Sequence, residues 1–207
     1  KYDMRYDRDS RMGVLVKRVL AMKADDNKML AEAKDVLEKW DLNTDPENLY
    51  AALPVMAFQP VLKHEPGIIP DNLLIDRIVH TAERLKKRYD SISVPWKDVH
   101  RLIHGDVNLG MGGGPHVLHA VESDPYGDAQ LKGRKGDSYI LLARWDTSGK
   151  VKSESIHQYG SATKDKKSPH YADQAQLFVK RQLKPVWLDE KDIRANLEQA
   201  YRPGEEK

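Results

Sequence analysis

Histidines are the residues of this chain whose number and spacing most invite a chemical reading. There are eight. His100 and His104 sit four apart, which on a helix puts both on one face, and His116 and His119 follow closely. Zinc needs about three or four N, O or S ligands converging at roughly 2.0–2.3 Å. The spacing permits that, but Arg101-Leu102-Ile103 intervene, so the glutamate of an HExxH motif is missing. Dispersed loop and surface histidines are the better reading, and no residue is assigned as a metal ligand. Gly110-Met111-Gly112-Gly113-Gly114-Pro115 has the glycine content of a phosphate loop, yet it runs into Gly-Pro-His where a P-loop ends in Gly-Lys-Ser or Gly-Lys-Thr. A dinucleotide fingerprint would follow a strand, whereas helix and loop precede these glycines. They read as a tight turn that needs φ > 0 and close backbone approach. No cofactor is implied. Asp137-Ser138 and Ser168-Pro169-His170-Tyr171-Ala172-Asp173 together contain Ser, His and Asp. One short segment does not make a triad. Ser168 is explained as a helix N-cap, and an Asp near that N-terminus as a partner of the helix dipole. No catalytic residue is assigned.

The elements that must position these residues change character along the chain. About the first 100 residues read as helical. Ala24 to Trp40 carries Met29, Leu30, Ala33, Val36, Leu37 and Trp40 at i, i+3, i+4 spacing, with Asp25 or Asp26 as cap. Asp45-Pro46 looks like a second helix start, and Leu49, Ala52, Leu53, Met56 and Ala57 follow, although Pro54 should kink or break that helix. Lys63 to Pro70 reads as a connecting loop. A third helix is expected from Asp71 to Arg88, and a short fourth from Pro95-Trp96 to just before Gly105. Residues 105–136 are Gly- and Pro-rich and read as mostly irregular. The chain thus divides into a helical segment 1–104, a connecting segment 105–136, and a hairpin with C-terminal helices over 137–207.

Within that last segment, residues 138–145 and 151–159 flank Asp146-Thr147-Ser148-Gly149-Lys150, a hairpin signal. The first strand is apolar on both faces: Tyr139, Leu141, Ala143 and Trp145 on one, Ile140 and Leu142 on the other. Such a strand belongs in the middle of a layered structure, covered above and below. Leu141→Asp or Leu142→Asp is then expected to unfold the C-terminal half. A lone hairpin is marginal in water and wants about three or more strands, so at least one strand edge here should lack its partner. Ser168-Pro169 is expected to start a covering helix, and Asp189 the last one, with Leu188 and Ile193 as a hydrophobic staple.

The 207 residues carry 34 Lys+Arg against 32 Asp+Glu, a net charge of +2, which argues against a nucleic-acid partner. The absence of Cys excludes disulfides, cysteine nucleophiles and thiolate metal sites. The longest apolar run, about Leu49 to Phe58, is interrupted by Pro54 and falls short of the ~18 residues that a membrane span requires. Lys1-Tyr2-Asp3-Met4-Arg5 opens the chain without the pattern of a signal peptide. The expectation is a piece of something longer.

Val94 to Gly114, VPWKDVHRLIHGDVNLGMGGG, resembles a stretch of the penicillin acylase family, especially its acyl-homoserine-lactone and aculeacin-type branch. Gly136 to Trp145, Ser155-Ile156-His157-Gln158-Tyr159-Gly160, Ser168 to Gln174, and Leu183-Lys184-Pro185-Val186-Trp187 are similar to the end of that family's β-subunit. Trp40-Asp41-Leu42-Asn43-Thr44-Asp45, Asn48 and Ala51-Ala52-Leu53 resemble the branch's helical insert. The blocks run in order over nearly the whole chain. Lys97, Gly110-Met111 and His116 depart from the family pattern in a loop that would bear on acyl-chain or leaving-group preference.

The resemblance implies an α+β fold in which a helical N-terminal half joins a β-hairpin and covering helices, part of an αββα N-terminal-nucleophile hydrolase sandwich. It implies an amidase that cleaves the acyl amide bond of N-acyl homoserine lactones, lipopeptides or β-lactams without a cofactor. In such enzymes a self-cleaved precursor exposes a Ser whose own α-amine is the base, so nucleophile and base belong to one residue at the β-chain start. Residue 1 here is Lys, and no catalytic residue of the family carries over. The implied partners are the α-subunit and the N-terminal part of the β-subunit, together with a small acylated amide. The implied compartment is periplasmic or extracellular. A non-catalytic helical interaction module of the same descent is the alternative from a different functional class.

Overall fold

The computed structural model describes residues 2–202, 204 and 205. Four helices build the N-terminal half: α1 (Arg11–Ala21), α2 (Lys28–Lys39), α3 (Ala52–Phe58) and α4 (Asp71–Tyr89). Helix α1 was not singled out by periodicity. Its N-cap Ser10 accepts from the Gly13 amide, satisfying one of the donors that a helix start leaves unpaired. The cap of α2 is Asn27, accepting from Leu30 N–H at 2.9 Å, and not Asp25 or Asp26. Asp25 instead takes the left-handed conformation in the turn before it. Leu15, Val19, Leu30, Ala33, Leu37, Leu74, Ile78, Ala82 and Leu85 face a common core.

Helix α3 is buried on every side, as the middle element of a helical cluster should be. Pro54 neither kinks nor breaks it. The helix begins at Ala52, so Pro54 lies in the first turn, where the amide it lacks would have no intrahelical partner. Asp45-Pro46 does not start this helix. The Pro46 and Asn48 carbonyls are spent on the Lys97 and Trp96 amides, at 2.8 and 3.0 Å. That leaves a single turn at Asp45.

Those same bonds seat α5 (Trp96–Val99), one turn long, and here the expected helix ends. His100–His104 is strand β1, and the segment read as irregular supplies β2 (Val107–Gly110), β3 (Val121–Tyr126) and β4 (Gln130–Gly136). They form a sheet in the order β2-β1-β4-β3, with β1 antiparallel to β2 and parallel to β4. Turn signals at Gly105-Asp106 and Gly127-Asp128 close the two hairpins, with Gly105 and Gly127 at positive φ. The glycines from 110 onward do mark a tight, close-packed turn. Gly113 has φ +80, and a Cβ at Gly112 would come within 2.5 Å of the Met4 sulfur.

The hairpin expected at 138–159 is present: β5 (Tyr139–Trp145) pairs antiparallel with β6 (Val151–His157), and β6 with β7 (Lys184–Val186). Its expected cover is not. Leu141 is 49%, Leu142 58% and Trp145 67% exposed, because no described element lies over the outer part of β5. Strand β5 is an edge strand, so one edge does lack a partner. The helix expected from Ser168 is also absent. Residues 168–174 spend their backbone on the neighbouring loop, with Ala162 N–H donating to the His170 carbonyl and Gln174 N–H to Tyr159. Only α6 (Ala175–Val179) follows, packed on β2 and β6. Asp189 is the N-cap residue of α7 (Glu190–Ala195), as read, but Leu188 and Ile193 are exposed. The fold is α+β, 34% helix and 21% strand.

Candidate functional site

Where the N-terminal residues, the β3–β4 hairpin and α6 meet, one buried histidine, His119, is joined by the partly exposed Asp137 and Asp3 and by the exposed Arg181. The β3–β4 register pairs Val121 with Gly136, and Asp137 N–H donates to Ala120 O at 2.8 Å. The residue before one strand is thereby set beside the residue after the other. His119 Nδ1 lies 3.1 Å from Asp137 Oδ2, and its ring tilts against Phe178 at 5.6 Å. Burial pulls His119 below the usual histidine value, and the Asp137 carboxylate opposes this in part. Beside the pair, Arg181 is salt-bridged to Asp3, tying the chain's beginning to the end of α6. Burial is the largest single influence on the Asp3 carboxyl and pushes it up, but the Arg181 charge together with a backbone hydrogen bond and smaller lowering contributions outweighs it, and the net shift is downward.

Two cavities share Asp137. One, of about 250 Å³, is an apolar cup of Leu118, Ile140, Leu142, Ile156 and Leu183 with His119, Asp3 and Arg181 at its polar end. The other, of about 260 Å³, has Leu102, Met111, Val121 and Phe178 for its floor and Lys135, Gln158 and Tyr159 at its mouth. The His119–Asp137 contact has the spacing of an imidazole held by a carboxylate, but no hydroxyl among the described residues is hydrogen-bonded to the ring, so the pair is not a triad. The arrangement can bind and position an apolar group. It does not assemble a nucleophile.

The histidines singled out by spacing are not brought together. On β1, His100 and His104 share a face by strand period rather than helix period, about 13 Å apart at ~3.3 Å per residue. His100 is buried, stacked on Trp96 at 4.6 Å, and its Nε2 meets Ser123 Oγ at 2.8 Å. Burial drives its pKa down to about 3. Its Nδ1 is buried without a hydrogen-bond partner among the described residues, and the Met111 and Gly112 backbone opposes the downward pull only in part. Ser123 in turn is pinned by Gln59, whose amide donates to the Ser123 carbonyl at 2.6 Å. This Ser–His contact lines neither cavity, and it is a packed polar core. His104 is sandwiched between Tyr159 and Tyr171, at 4.2 and 4.3 Å. His116 sits in a turn at positive φ. Among the described residues no group of three or more His, Cys, Asp or Glu is placed to hold a metal.

Ser168 and Asp173 converge with His170, but as local turn contacts. Ser168 Oγ accepts from His170 N–H, and His170 Nδ1 meets Asp173 at 3.0 Å. Sequence reasoning missed the His119–Asp137 pair. Its signal was the Tyr126-Gly127-Asp128 turn, which read as a hairpin would have placed 119 beside 137.

The sequence model of the Penicillin amidase family matches residues 2–195, which span the helical half, both sheets and the two cavities. The chain belongs to the penicillin amidase family. Membership implies a hydrolase of the N-terminal-nucleophile type for the parent protein. No curated protein matches the chain. No helix among the described residues of this penicillin amidase family member is long and apolar enough to cross a membrane.

Proposed function

We propose that this chain is the C-terminal part of the β-subunit of a penicillin-acylase-like amidohydrolase. The parent enzyme would cleave the acyl amide bond of an N-acyl homoserine lactone, a lipopeptide or a β-lactam, and would act in the periplasm or outside the cell. The attacking group is an N-terminal Ser carried outside this chain. Its hydroxyl proton passes to its own α-amine, directly or through water. An acyl-enzyme forms as the amine leaves, and water hydrolyses it. No residue described here takes part in those bond changes. The chain's contribution is a scaffold: the helical half as a peripheral wall, and β5–β7 as strands that dock on the remainder of the same precursor.

The observation that carries this reading is the outer part of β5, where Leu141, Leu142 and Trp145 stand in solvent inside a chain that matches the family over residues 2–195. Side chains of that kind on both faces of an edge strand suit a surface that another part of the polypeptide covers. The purified 207-residue chain should show no turnover on acyl homoserine lactones or chromogenic acyl amides. Co-expression with the preceding part of its own precursor should restore it. Saturable turnover by the chain alone, surviving repeated repurification, would sink the proposal.

A further inference from the structure

From Asp189 onward every described residue up to Arg202 is exposed, and the hydrogen bonds and ion pairs of 190–202 are almost all internal to the segment. Arg194 pairs with Glu190, Asn196 reaches back to the Asp192 carbonyl, and the amides of Asp192 and Ile193 bond the Asp189 carbonyl. One polar side-chain link among the described residues reaches from this segment to the body of the protein. Glu198 Oε2 lies 3.0 Å from His170 Nε2. His170 is itself firmly held. Its amide donates to Ser168 Oγ, its carbonyl accepts from Ala162, and Gly160 packs so closely beneath that a Cβ there would fall 2.1 Å from the His170 carbonyl oxygen.

The other ring nitrogen, Nδ1, meets Asp173 Oδ2 at 3.0 Å. A neutral imidazole has one donor and one acceptor nitrogen, so it can satisfy only one of two carboxylates and must set a lone pair against the other. Only the imidazolium donates to both. The remaining charged and titratable groups along the groove between the two segments are Asp165, Lys167 and Tyr201. Trp187, Ile193 and Leu197 supply its apolar lining.

We propose that His170 is a proton-operated clasp: its imidazolium pins the segment following α7 to the 160–174 turn, and loss of that proton releases the segment and opens the groove. The contacts with Asp173 and Glu198 raise the pKa of His170. The ring therefore keeps its proton above the ordinary value of about 6.5. With the docked value raised, the clasp is fully engaged below that ordinary value. It is lost as pH climbs through the docked one.

The test follows the His170 side-chain nitrogens and the backbone heteronuclear NOE of residues 196–201 by NMR, in the full chain, between pH 5 and 9. The expected result is a His170 midpoint above the ordinary histidine value. Segment order should fall through that same midpoint. Glu198→Gln should lower the midpoint and loosen the segment, whereas His170→Gln should leave the segment loose throughout and the NOE of α1–α4 unchanged. An NOE for 196–201 that stays constant across the titration overturns the clasp. So does a midpoint that Glu198→Gln does not move.

Discussion

Helix α3 and strand β5 are both seven residues long and both strongly apolar, ALPVMAF against YILLARW. All seven side chains of α3 are buried, while six of the seven residues of β5 are exposed and the other is only partly covered. Apolar composition is thus the same statement in both places: these side chains require cover. Helices α1, α2 and α4 provide it for α3 within this chain. Nothing described provides it for the outer part of β5. The core around the helices, completed by Val117, Ala129 and Leu131 from the segment that follows, is closed within the described residues, and the second sheet is not.

The sharpest way to break that contrast is to remove a side chain from the closed core. Phe58, fully buried at the end of α3, belongs to the main core. Phe58→Ala should cost about 3–5 kcal/mol, the transfer of the ring plus the cavity it leaves. Urea denaturation monitored by far-UV circular dichroism reads this directly. A loss under about 1 kcal/mol, smaller than a typical core deletion, would mean that the helical half is no better packed than the sheet.

A second handle is acid. His100 is neutral in the folded chain because burial holds its pKa near 3, against an ordinary value of 6.5. Below the ordinary value the unfolded chain binds a proton that the folded chain refuses, so stability falls with falling pH across that window. The slope is about 1.4 kcal/mol per pH unit for one such group. His119 shifts in the same direction and adds to the loss. The stability of the wild-type chain should therefore drop between pH 7 and pH 4, and His100→Gln should reduce that drop by roughly one proton's worth of slope. An unchanged slope in the variant would show that His100 is already charged or exposed in the folded state.

Where local signals and tertiary demands agreed, the sequence was legible. The stripe of Leu74, Ile78, Ala82 and Leu85 located α4 to within a residue, and Gly149 in its turn located the β5–β6 hairpin. It misled where backbone groups were spent on distant partners. Asp45-Pro46 and Ser168-Pro169 carry correct helix-start chemistry, but the carbonyls that a helix would need go instead to Trp96, Lys97 and Ala162. His100 to His104 was misread for a related reason: pairing to β2 and β4 overrides a short helical pattern. The candidate site was the least legible part. His119 and Asp137 are joined only by the β3–β4 register, and that hairpin lay in the stretch taken as irregular.

The smallest expected effect separates the two halves most cleanly. The apolar pattern of β5 alone made Leu142→Asp look ruinous, but Leu142 is more than half exposed at the lip of the apolar cup. A carboxylate there keeps its water, so in the chain by itself the substitution should change stability by no more than about 0.5 kcal/mol, the range of ordinary surface changes. In the proposed assembly with the rest of the precursor, the same carboxylate would be covered without a partner. Desolvation would then cost several kcal/mol, read as loss of co-purified complex. Denaturation of the lone chain and pull-down of the assembly should therefore rank Phe58→Ala and Leu142→Asp in opposite orders. If Leu142→Asp unfolds the lone chain, β5 is covered there after all, and the contrast between the halves disappears. If it leaves assembly intact, then whatever covers β5 in the parent protein does not rest on Leu142.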